Sequence, residues 1–230
     1  MDKSDFSEVT MRRFQLFVKR FLDILISLVA LILLSPVLFI ISVLIKLTSK
    51  GPVFFLQERI GYQGRTFKII KFRTMIVNAE HIGEGIRVSS EKDSRITRAG
   101  RFLRACSLDE LPQLFNVVAG SMSICGPRPP VTYVPYQGYE NYPDEAKKRF
   151  EMRPGITGLA QVKVRNSATW DERISIDIQY VEKFSLWLDF KVILLTVKRV
   201  LKPDSIYGTS IGQSADQARE NADESTVNSR

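Results

Sequence analysis

The chain of 230 residues carries a formal net charge of +8, and 44% of its residues are hydrophobic. This hydrophobic share excludes a wholly disordered protein, and the length allows one compact domain plus a membrane anchor. The positive charge predicts an anionic partner such as nucleic acid, an acidic membrane surface or a phosphorylated substrate. Cys106 and Cys125 are the two cysteines and lack any paired Cys or His spacing, which argues against a disulfide framework or zinc site and fits the reducing cytosol.

The first predicted element is an apolar segment from Ile24 to Ile45, which holds 22 residues without a charge. A helix of this length can cross a bilayer core of about 30 Å. It is apolar on all sides, which is typical of a membrane segment and unusual for a helix in a soluble core of this size. It begins too far into the chain to be a signal peptide and lacks a cleavage site, so we expect it to be retained.

The middle of this segment carries Ser35-Pro36, and the proline removes the hydrogen bond to the carbonyl of Ile32. Basic residues flank both ends of the segment, namely Arg12, Arg13, Lys19 and Arg20 before it and Lys46 and Lys50 after it. The positive-inside rule draws both ends to one side, which favours a re-entrant helix broken at Ser35-Pro36. A spanning helix with a proline kink, in which Ser35 bonds the freed carbonyl, is an equal alternative on these grounds.

Short elements follow the anchor. Val53–Gln57 and Thr66–Ile70 are predicted as strands of a hairpin, with glycines in the turn between them. The polar stretch Asn78–Ser94, which holds the only histidine, His81, is predicted as a surface loop. Helices are then predicted over Ile96–Ala105 and Leu111–Ala119.

The C-terminal part begins with the proline-rich run Gly126-Pro127-Arg128-Pro129-Pro130, which predicts a stiff extended connection. Further elements are predicted as a helix over Asp144–Met152, a strand over Leu159–Val164 and an amphipathic helix over Thr169–Phe184. Leu186–Leu201 mixes aromatic and aliphatic residues with lysine and arginine, which is typical of a helix in a membrane interface and equally compatible with a core helix. Thr209–Arg230 is polar and lacks aromatic residues, which predicts a disordered tail.

Positive charge concentrates between Glu58 and Arg104, where 11 lysines and arginines face 5 acids. The arginines near the end of this stretch could line an anion site, although a solvated stripe or one facing lipid headgroups explains most of them. Phe102 is the single aromatic residue between Arg87 and Arg104, so the interleaved aromatics of a nucleic-acid reader are missing and no nucleic-acid partner is expected.

The adjacent acids Asp109 and Glu110 allow two interpretations. Paired carboxylates close to arginine suit a divalent cation that bridges an anionic substrate. Ser107-Leu108-Asp109-Glu110 also fits a capping box, in which the acids merely start a helix, and by itself this explanation is favoured. Pro112 complicates the capping box, because a proline at that position predicts an irregular turn.

Two further strings carry arginine in a restrained backbone. Arg128 lies between prolines, which would reduce the entropy that its guanidinium loses on binding an anion. Arg153-Pro154-Gly155-Ile156-Thr157-Gly158 offers glycines that permit either a close approach to phosphate or a simple turn. Neither string is a Walker loop or a dinucleotide-binding glycine fingerprint, and a serine or cysteine triad lacks a nearby histidine.

Together these strings resemble the bacterial sugar transferases, specifically the small monotopic phosphoglycosyl transferases that act on polyprenyl phosphate. The resemblance covers nearly the whole chain and depends on the order of short motifs. The motifs are Lys19-Arg20-Phe21-Leu22-Asp23, Ser35-Pro36, Gln57-Glu58-Arg59-Ile60-Gly61, Lys71-Phe72-Arg73-Thr74-Met75, Ser107-Leu108-Asp109-Glu110-Leu111-Pro112-Gln113-Leu114, Gly126-Pro127-Arg128-Pro129, Arg153-Pro154-Gly155-Ile156-Thr157-Gly158 and Asp177 to Val181.

The resemblance implies transfer of a sugar-1-phosphate from a UDP-sugar to undecaprenyl phosphate, with release of UMP and a covalent sugar-phosphate intermediate. It implies Asp109 as the nucleophile and Glu110 as a ligand of Mg²⁺. The other residues implied to bind substrate or phosphate are Lys71, Arg73, Arg104, Arg128, Arg153 and Asp177. Downstream glycosyltransferases would extend the product into a glycan.

The expected fold class is therefore α+β, with a re-entrant membrane helix and a mostly helical cytoplasmic domain that has a small β element and interfacial amphipathic helices. The expected boundaries are 1–50 for the anchor, 51–208 for the catalytic domain and 209–230 for the tail. The expected location is the cytoplasmic face of the bacterial inner membrane. A membrane-tethered basic scaffold that binds acidic lipids or nucleic acid is the alternative, although a scaffold has no need for adjacent acids beside Arg104.

Overall fold

The computed structural model describes residues 3–79, 82, 93–164 and 168–201. The helices are α1 (Lys3–Thr48), α2 (Arg98–Ala105), α3 (Gln113–Ala119), α4 (Asp144–Lys147), α5 (Leu159–Lys163), α6 (Trp170–Glu182) and α7 (Leu186–Leu201). The strands are β1 (Phe54–Ile60), β2 (Thr66–Phe72), β3 (Ser123–Cys125) and β4 (Gly155–Thr157). This mixture of helices and small sheets confirms the predicted α+β class. Most of the predicted loop 78–94, with His81, and all of the predicted tail 209–230 lie outside the described residues.

Helix α1 is long and apolar enough to cross a membrane. It continues through Ser35 and Pro36, where the sequence predicts a break, so that predicted interruption of the helix is wrong. The hydroxyl of Ser35 donates to the carbonyl oxygen of Ile32 at 2.8 Å, and this is the carbonyl that Pro36 cannot bond. A satisfied carbonyl is what allows a membrane helix to continue past a proline.

Both ends of the apolar segment contact the same domain. Before the segment, the guanidinium of Arg20 donates to the carbonyls of Val117 at 2.8 Å and Met122 at 3.1 Å. At its end, Ile45 lies in a buried apolar cluster with Phe72 on β2. The domain therefore packs along α1 on either side of Ser35-Pro36.

Strands β1 and β2 form the predicted hairpin, antiparallel and in register from Phe54 opposite Phe72 to Ile60 opposite Thr66. The side-chain amide of Asn116, on α3, binds the backbone of β2. Its Oδ1 accepts from Ile70 N at 2.9 Å and its Nδ2 donates to Lys68 O at 2.8 Å. This pairing fixes α3 beside β2, so that the residues just before α3 face the end of the hairpin.

Strands β3 and β4 pair in parallel, with Ser123 opposite Gly155 and Cys125 opposite Thr157. The strand predicted over Leu159–Val164 is wrong, because this stretch is helix α5. A short apolar run has no periodicity that separates a strand from a buried helical turn. The strand in this region is instead β4, the glycine-bounded segment just before it.

The remaining helices confirm the predictions with shifts of up to two residues at most ends. Thr97 caps α2 and Thr169 caps α6, each accepting a backbone N–H on its side-chain oxygen. The predicted helix Asp144–Met152 is the short helix α4 followed by a 3₁₀ turn over Lys148–Glu151.

Helix α7 has one buried face and one exposed apolar face. Val192 is fully buried in the main core cluster, which α6 also joins through Tyr180. The opposite face exposes large apolar side chains, among them Trp187, Phe190 and Leu194. One face of α7 therefore behaves as a core helix, and the opposite face is suited to a membrane interface, so each of the two predicted alternatives holds for one side.

Candidate active site

The turn from Ser107 to Pro112 presents the two adjacent carboxylates. Ser107 adopts a left-handed conformation with φ of 56°, and its side chain makes no capping hydrogen bond. Leu108–Glu110 is a 3₁₀ turn, and α3 begins only after Pro112. The capping-box interpretation is therefore wrong, because that motif needs an extended N-cap residue whose oxygen accepts a backbone N–H. The irregular turn predicted from Pro112 is confirmed.

Glu110 is held by two cations. The Nζ atom of Lys71, near the end of β2, lies 2.5 Å from Glu110 Oε1, and Arg128 Nη2 lies 3.4 Å from the same oxygen. Burial alone would raise the pKa of Glu110, but attraction to Lys71 and Arg128 lowers it to about 2. Glu110 therefore remains an anion at neutral pH, with a fixed orientation.

Asp109 has the opposite electrostatic character. Burial and then repulsion from Glu110 raise the pKa of Asp109 to about 6, against the attraction of Lys71 and Arg104. Its carboxylate is ionised at neutral pH but less stabilised than a solvated one. Adjacent groups whose pKa values are pushed apart are typical of sites where the two acids have different roles.

Arg104 reaches this region because α2 packs tightly against the strand-like segment after β2. Its Nε donates to the hydroxyl of Thr74 at 2.8 Å. Gly100 makes the approach possible, since a Cβ at that position would lie 1.9 Å from the carbonyl oxygen of Thr74. Arg104 is thus oriented by Thr74 and attracts the carboxylate of Asp109.

The structure places two of the predicted substrate-binding arginines elsewhere. Arg73 is buried and donates to the carbonyls of Ser49 and Lys50, so that it caps the C-terminal end of α1. Arg153 donates to the carbonyl of Gly120 at 3.0 Å, at the end of α3, and its guanidinium lies over the ring of Tyr62. Both side chains are used in contacts with the protein itself and do not contact Asp109 or Glu110.

Asp177 also lies behind the site. It is fully buried on α6, and its Oδ2 accepts from Arg149 Nη2 at 2.5 Å. The same nitrogen of Arg149 donates to the backbone carbonyl of Arg128 at 2.9 Å. Asp177 is thus connected to Glu110 through Arg149 and Arg128 and makes no direct contact with it.

Sequence reasoning missed two residues near the site. Arg149 falls inside a predicted helix and nothing in the sequence marks it as buried. Arg59 belongs to the Gln57–Gly61 motif, and no role was predicted for it, yet its Nη1 donates to the carbonyl of Pro129 at 3.0 Å, next to Arg128. The one sequence feature that could have indicated such residues is the repeated occurrence of arginine in motifs beside Gly-Pro strings.

The donors at the turn decide whether a divalent cation fits. Among the described residues no group of three or more His, Cys, Asp or Glu side chains is arranged to hold a metal ion. Asp109 and Glu110 supply two carboxylates, and Mg²⁺ in phosphate-binding sites commonly takes one or two carboxylates plus phosphate oxygens and water. These residues therefore fit Mg²⁺ that binds together with a phosphorylated substrate.

A sequence model described as bacterial sugar transferase matches residues 14–203, which includes every residue of the site. The match also includes most of α1 and extends to the end of α7. It thus covers the anchor and the domain together.

Curated relatives carry related names. The chain is 44% identical over 190 residues to the UDP-glucose:undecaprenyl-phosphate glucose-1-phosphate transferase of Xanthomonas campestris pv. campestris, which aligns 80% of this chain and 39% of that protein. It is 42% identical over 197 residues to the galactosyl transferase CpsE of Streptococcus agalactiae serotype III, with coverages of 81% and 42%. A third relative, from Caulobacter vibrioides and named as the first, is 41% identical over 194 residues, with coverages of 82% and 72%. The chain therefore spans about two fifths of the length of the first two relatives.

Proposed function

Because the chain belongs to the bacterial sugar transferase family, we propose that it transfers a sugar-1-phosphate from a UDP-sugar to undecaprenyl phosphate and releases UMP. The names of the relatives from Xanthomonas campestris and Caulobacter vibrioides specify this class of donor and acceptor. The observation that carries the proposal is the Asp109-Glu110 turn, with Glu110 held by Lys71 and Arg128. A partly buried pair of acids supported by cations is suited to chemistry at a diphosphate.

In the first half of the reaction, a carboxylate oxygen of Asp109 attacks the phosphorus that bears the sugar. A new oxygen–phosphorus bond forms, and the bond between that phosphorus and the bridging oxygen of the diphosphate breaks. UMP leaves with the bridging oxygen, and the sugar-phosphate stays on Asp109 as an acyl phosphate. The raised pKa of Asp109 favours this role, since its carboxylate is less stabilised by its surroundings than one in water.

In the second half, a phosphate oxygen of undecaprenyl phosphate attacks the same phosphorus. The bond to Asp109 breaks and the free carboxylate returns, leaving undecaprenyl-diphosphate-sugar as product. This lipid-linked sugar is the substrate class that downstream glycosyltransferases extend in capsule, O-antigen, exopolysaccharide or glycoprotein synthesis.

The cations of the site reduce the repulsion between an anionic nucleophile and an anionic diphosphate. Arg128 has a side chain that is 45% exposed, so its guanidinium is open to a substrate phosphate while it contacts Glu110. Lys71 orients Glu110, which would hold Mg²⁺ together with the diphosphate. When bound, Mg²⁺ would act as a Lewis acid that neutralises charge on the phosphate oxygens.

The test of this function is release of UMP from a panel of UDP-sugars in the presence of undecaprenyl phosphate and Mg²⁺. A panel is needed because the names of the relatives include both glucose and galactosyl transfer.

We expect a chelator to abolish UMP release and added Mg²⁺ to restore it, since the site holds two carboxylates and needs phosphate to complete the ion's shell. Release that persists in excess chelator would contradict the metal assignment, and no release with any donor would favour a scaffold role.

The anchor sets where this reaction takes place. We propose that α1, although helical through Pro36, bends at Ser35-Pro36, so that it enters and leaves the membrane on the cytoplasmic side. We also propose that residues 51–208 form the catalytic domain at that surface. The contacts of Arg20 and Ile45 with one domain support this topology, because a crossing of about 30 Å would place these two positions on opposite sides of the membrane. The exposed apolar face of α7 would lie in the same interface.

A labelling experiment tests the topology. Single cysteines are introduced as Met11→Cys and Lys50→Cys, both exposed positions, in a Cys106→Ser background that removes the exposed native thiol. In sealed right-side-out membrane vesicles, we expect a membrane-impermeant thiol reagent to reach neither cysteine until the vesicles are opened. Labelling of one position and not the other in sealed vesicles would establish a spanning helix.

A further inference from the structure

The loop that carries Arg128 is held almost entirely by its carbonyl groups. This loop is Pro127-Arg128-Pro129-Pro130, and its three prolines have no N–H to donate. Each carbonyl accepts one hydrogen bond: Pro127 O from Gly155 N at 3.0 Å, Arg128 O from Arg149 Nη2 at 2.9 Å, Pro129 O from Arg59 Nη1 at 3.0 Å and Pro130 O from Ile60 N at 3.0 Å. Two of the four donors are arginine side chains, and these bind the carbonyls of Arg128 and of the next residue.

The use of Arg149 as this donor is energetically unfavourable, because a charged group has to be buried. It is 2% exposed, and its charge is balanced by the equally buried Asp177. Its Nε and Nη1 atoms are buried without a hydrogen-bond partner among the described residues. A buried ion pair with unsatisfied donors is often no more stable than an apolar pair of the same size, so stability alone does not explain it.

Arg59 has the same character on the other side of the loop. Its Nη2 donates to Gln57 Oε1 at 2.6 Å, while its Nε is buried and unpaired among the described residues. Burial and then repulsion from Arg128 lower the pKa of Arg59 to about 10. The proximity of Arg59 to Arg128 is therefore unfavourable for its charge, although attraction to Glu110 offsets part of that effect.

We infer that Arg149 and Arg59 are positioning residues that fix the backbone of Arg128 so that its guanidinium meets the substrate phosphate, with Asp177 as the counter-ion of Arg149. This inference rests on the proposed function. The two arginines act through Arg128, because their contacts with the loop are to backbone carbonyls and not to Glu110. Asp177 then belongs to the site as a support and not as a ligand of the substrate.

The decisive variant removes the ion pair as a unit. Arg149→Met combined with Asp177→Leu leaves no unpaired buried charge, so we expect thermal stability close to that of the unaltered protein. We expect kcat/KM for UMP release to fall about 100-fold, since a displacement of about 1 Å at a reacting group has an effect of this size. The same pair of changes in an Arg128→Ala background should cost no more than about twofold, because the residue that the pair positions is already gone.

The cycle with Arg128 separates positioning from general support of the fold. If the ion pair and Arg128 acted independently, their fold-losses in kcat/KM would multiply. A further loss of about 100-fold in the Arg128→Ala background would therefore overturn the inference. Arg59→Leu provides a second cycle if the double variant does not fold, with the same expectation. Glu145→Gln is the matched control, because it breaks the exposed pair with Lys148 and should leave kcat/KM unchanged.

A measurement without substrate distinguishes this inference from the proposed function. Hydrogen exchange of the peptide that spans Pro127 to Tyr133 should be faster in the double variant than in the unaltered protein. Absence of UMP release by the unaltered protein would remove the proposed function, while faster exchange in the double variant would still show that the Arg149–Asp177 pair holds the backbone of the Arg128 loop. Unchanged exchange together with unchanged kcat/KM would overturn the positioning role of Arg149 and leave the proposed function intact.

Discussion

Asp109→Asn is expected to lower UMP release from the UDP-sugar by at least about 1000-fold, which corresponds to about 4 kcal/mol of lost transition-state stabilisation. An amide oxygen is too weak a nucleophile to displace UMP, and none of the cationic side chains around the turn can act as the nucleophile in place of the carboxylate. In the unaltered protein, quenching with the UDP-sugar before undecaprenyl phosphate is added should leave a phosphosugar on the peptide that contains Asp109. Mass spectrometry detects this adduct, and its mass identifies the sugar.

The substitution should leave the fold intact. Burial raises the pKa of Asp109, which means that its charged form lowers stability, and a neutral amide removes that effect. A large loss of turnover with equal or higher thermal stability is the combination expected of a reacting group. Asp144→Asn is the control, because that carboxylate is exposed and pairs with Lys147, away from the Asp109-Glu110 turn. Turnover that survives in Asp109→Asn, or an adduct on another residue, would refute the assignment.

The local elements of this fold could be read from the sequence because their signals are local. The hairpin has β-rich runs on either side of a glycine turn. Its two observed strands end three and two residues beyond the predicted ends, and β1 begins one residue later than predicted. Helices α6 and α7 have clear apolar periodicity and begin within one residue of the predicted positions. The α5 segment has neither property, because five residues are too few to show a helical period.

The site could be predicted only in part, since the motifs give residue identities and not directions. Glu110, Lys71 and Arg128 come together although they are far apart in the chain, and no local pattern encodes that meeting. Arg73 lies two residues beyond Lys71 and just past the end of β2, where it caps α1 instead of joining the site. A charged residue in a motif can bind substrate or support the fold, and its packing in the structure distinguishes these roles.

The basic residues before the apolar segment show the same ambiguity. Their charges support a topology prediction under the positive-inside rule, which counts lysines and arginines without asking what they contact. Arg12 donates to the carbonyl of Val181, and Arg20 binds carbonyls at the end of α3. These residues dock α1 on the domain, so their positions are set by packing as well as by the membrane.

Lys19→Met is the second substitution expected to have a large effect, in this case on stability. Lys19 is buried, with Nζ at 2.5 Å from Asp189 Oδ2 on α7 and at 3.6 Å from Asp23 Oδ2. Removal of the ammonium would leave two buried carboxylates without their shared cation, and loss of one partner from a buried pair typically costs about 3 to 5 kcal/mol. Chemical unfolding of the protein in nanodiscs should measure this loss.

A compensating change shows whether the loss comes from the unpaired charge. Lys19→Met with Asp189→Asn should recover most of the stability, since Tyr180 keeps a hydrogen bond to the carbonyl of Cys125 and Asp23 keeps Ser123. Lys147→Met breaks an exposed pair and should change the free energy of unfolding by less than about 1 kcal/mol. Stability of Lys19→Met equal to that of the unaltered protein would mean that α1 does not dock on α7. Loss of stability in Lys19→Met and its recovery in the double variant would instead show that α1 is docked on the same core that supports Arg128. Helix α6 connects the two, because it carries Tyr180, which donates to Asp189, and Asp177, which pairs with Arg149.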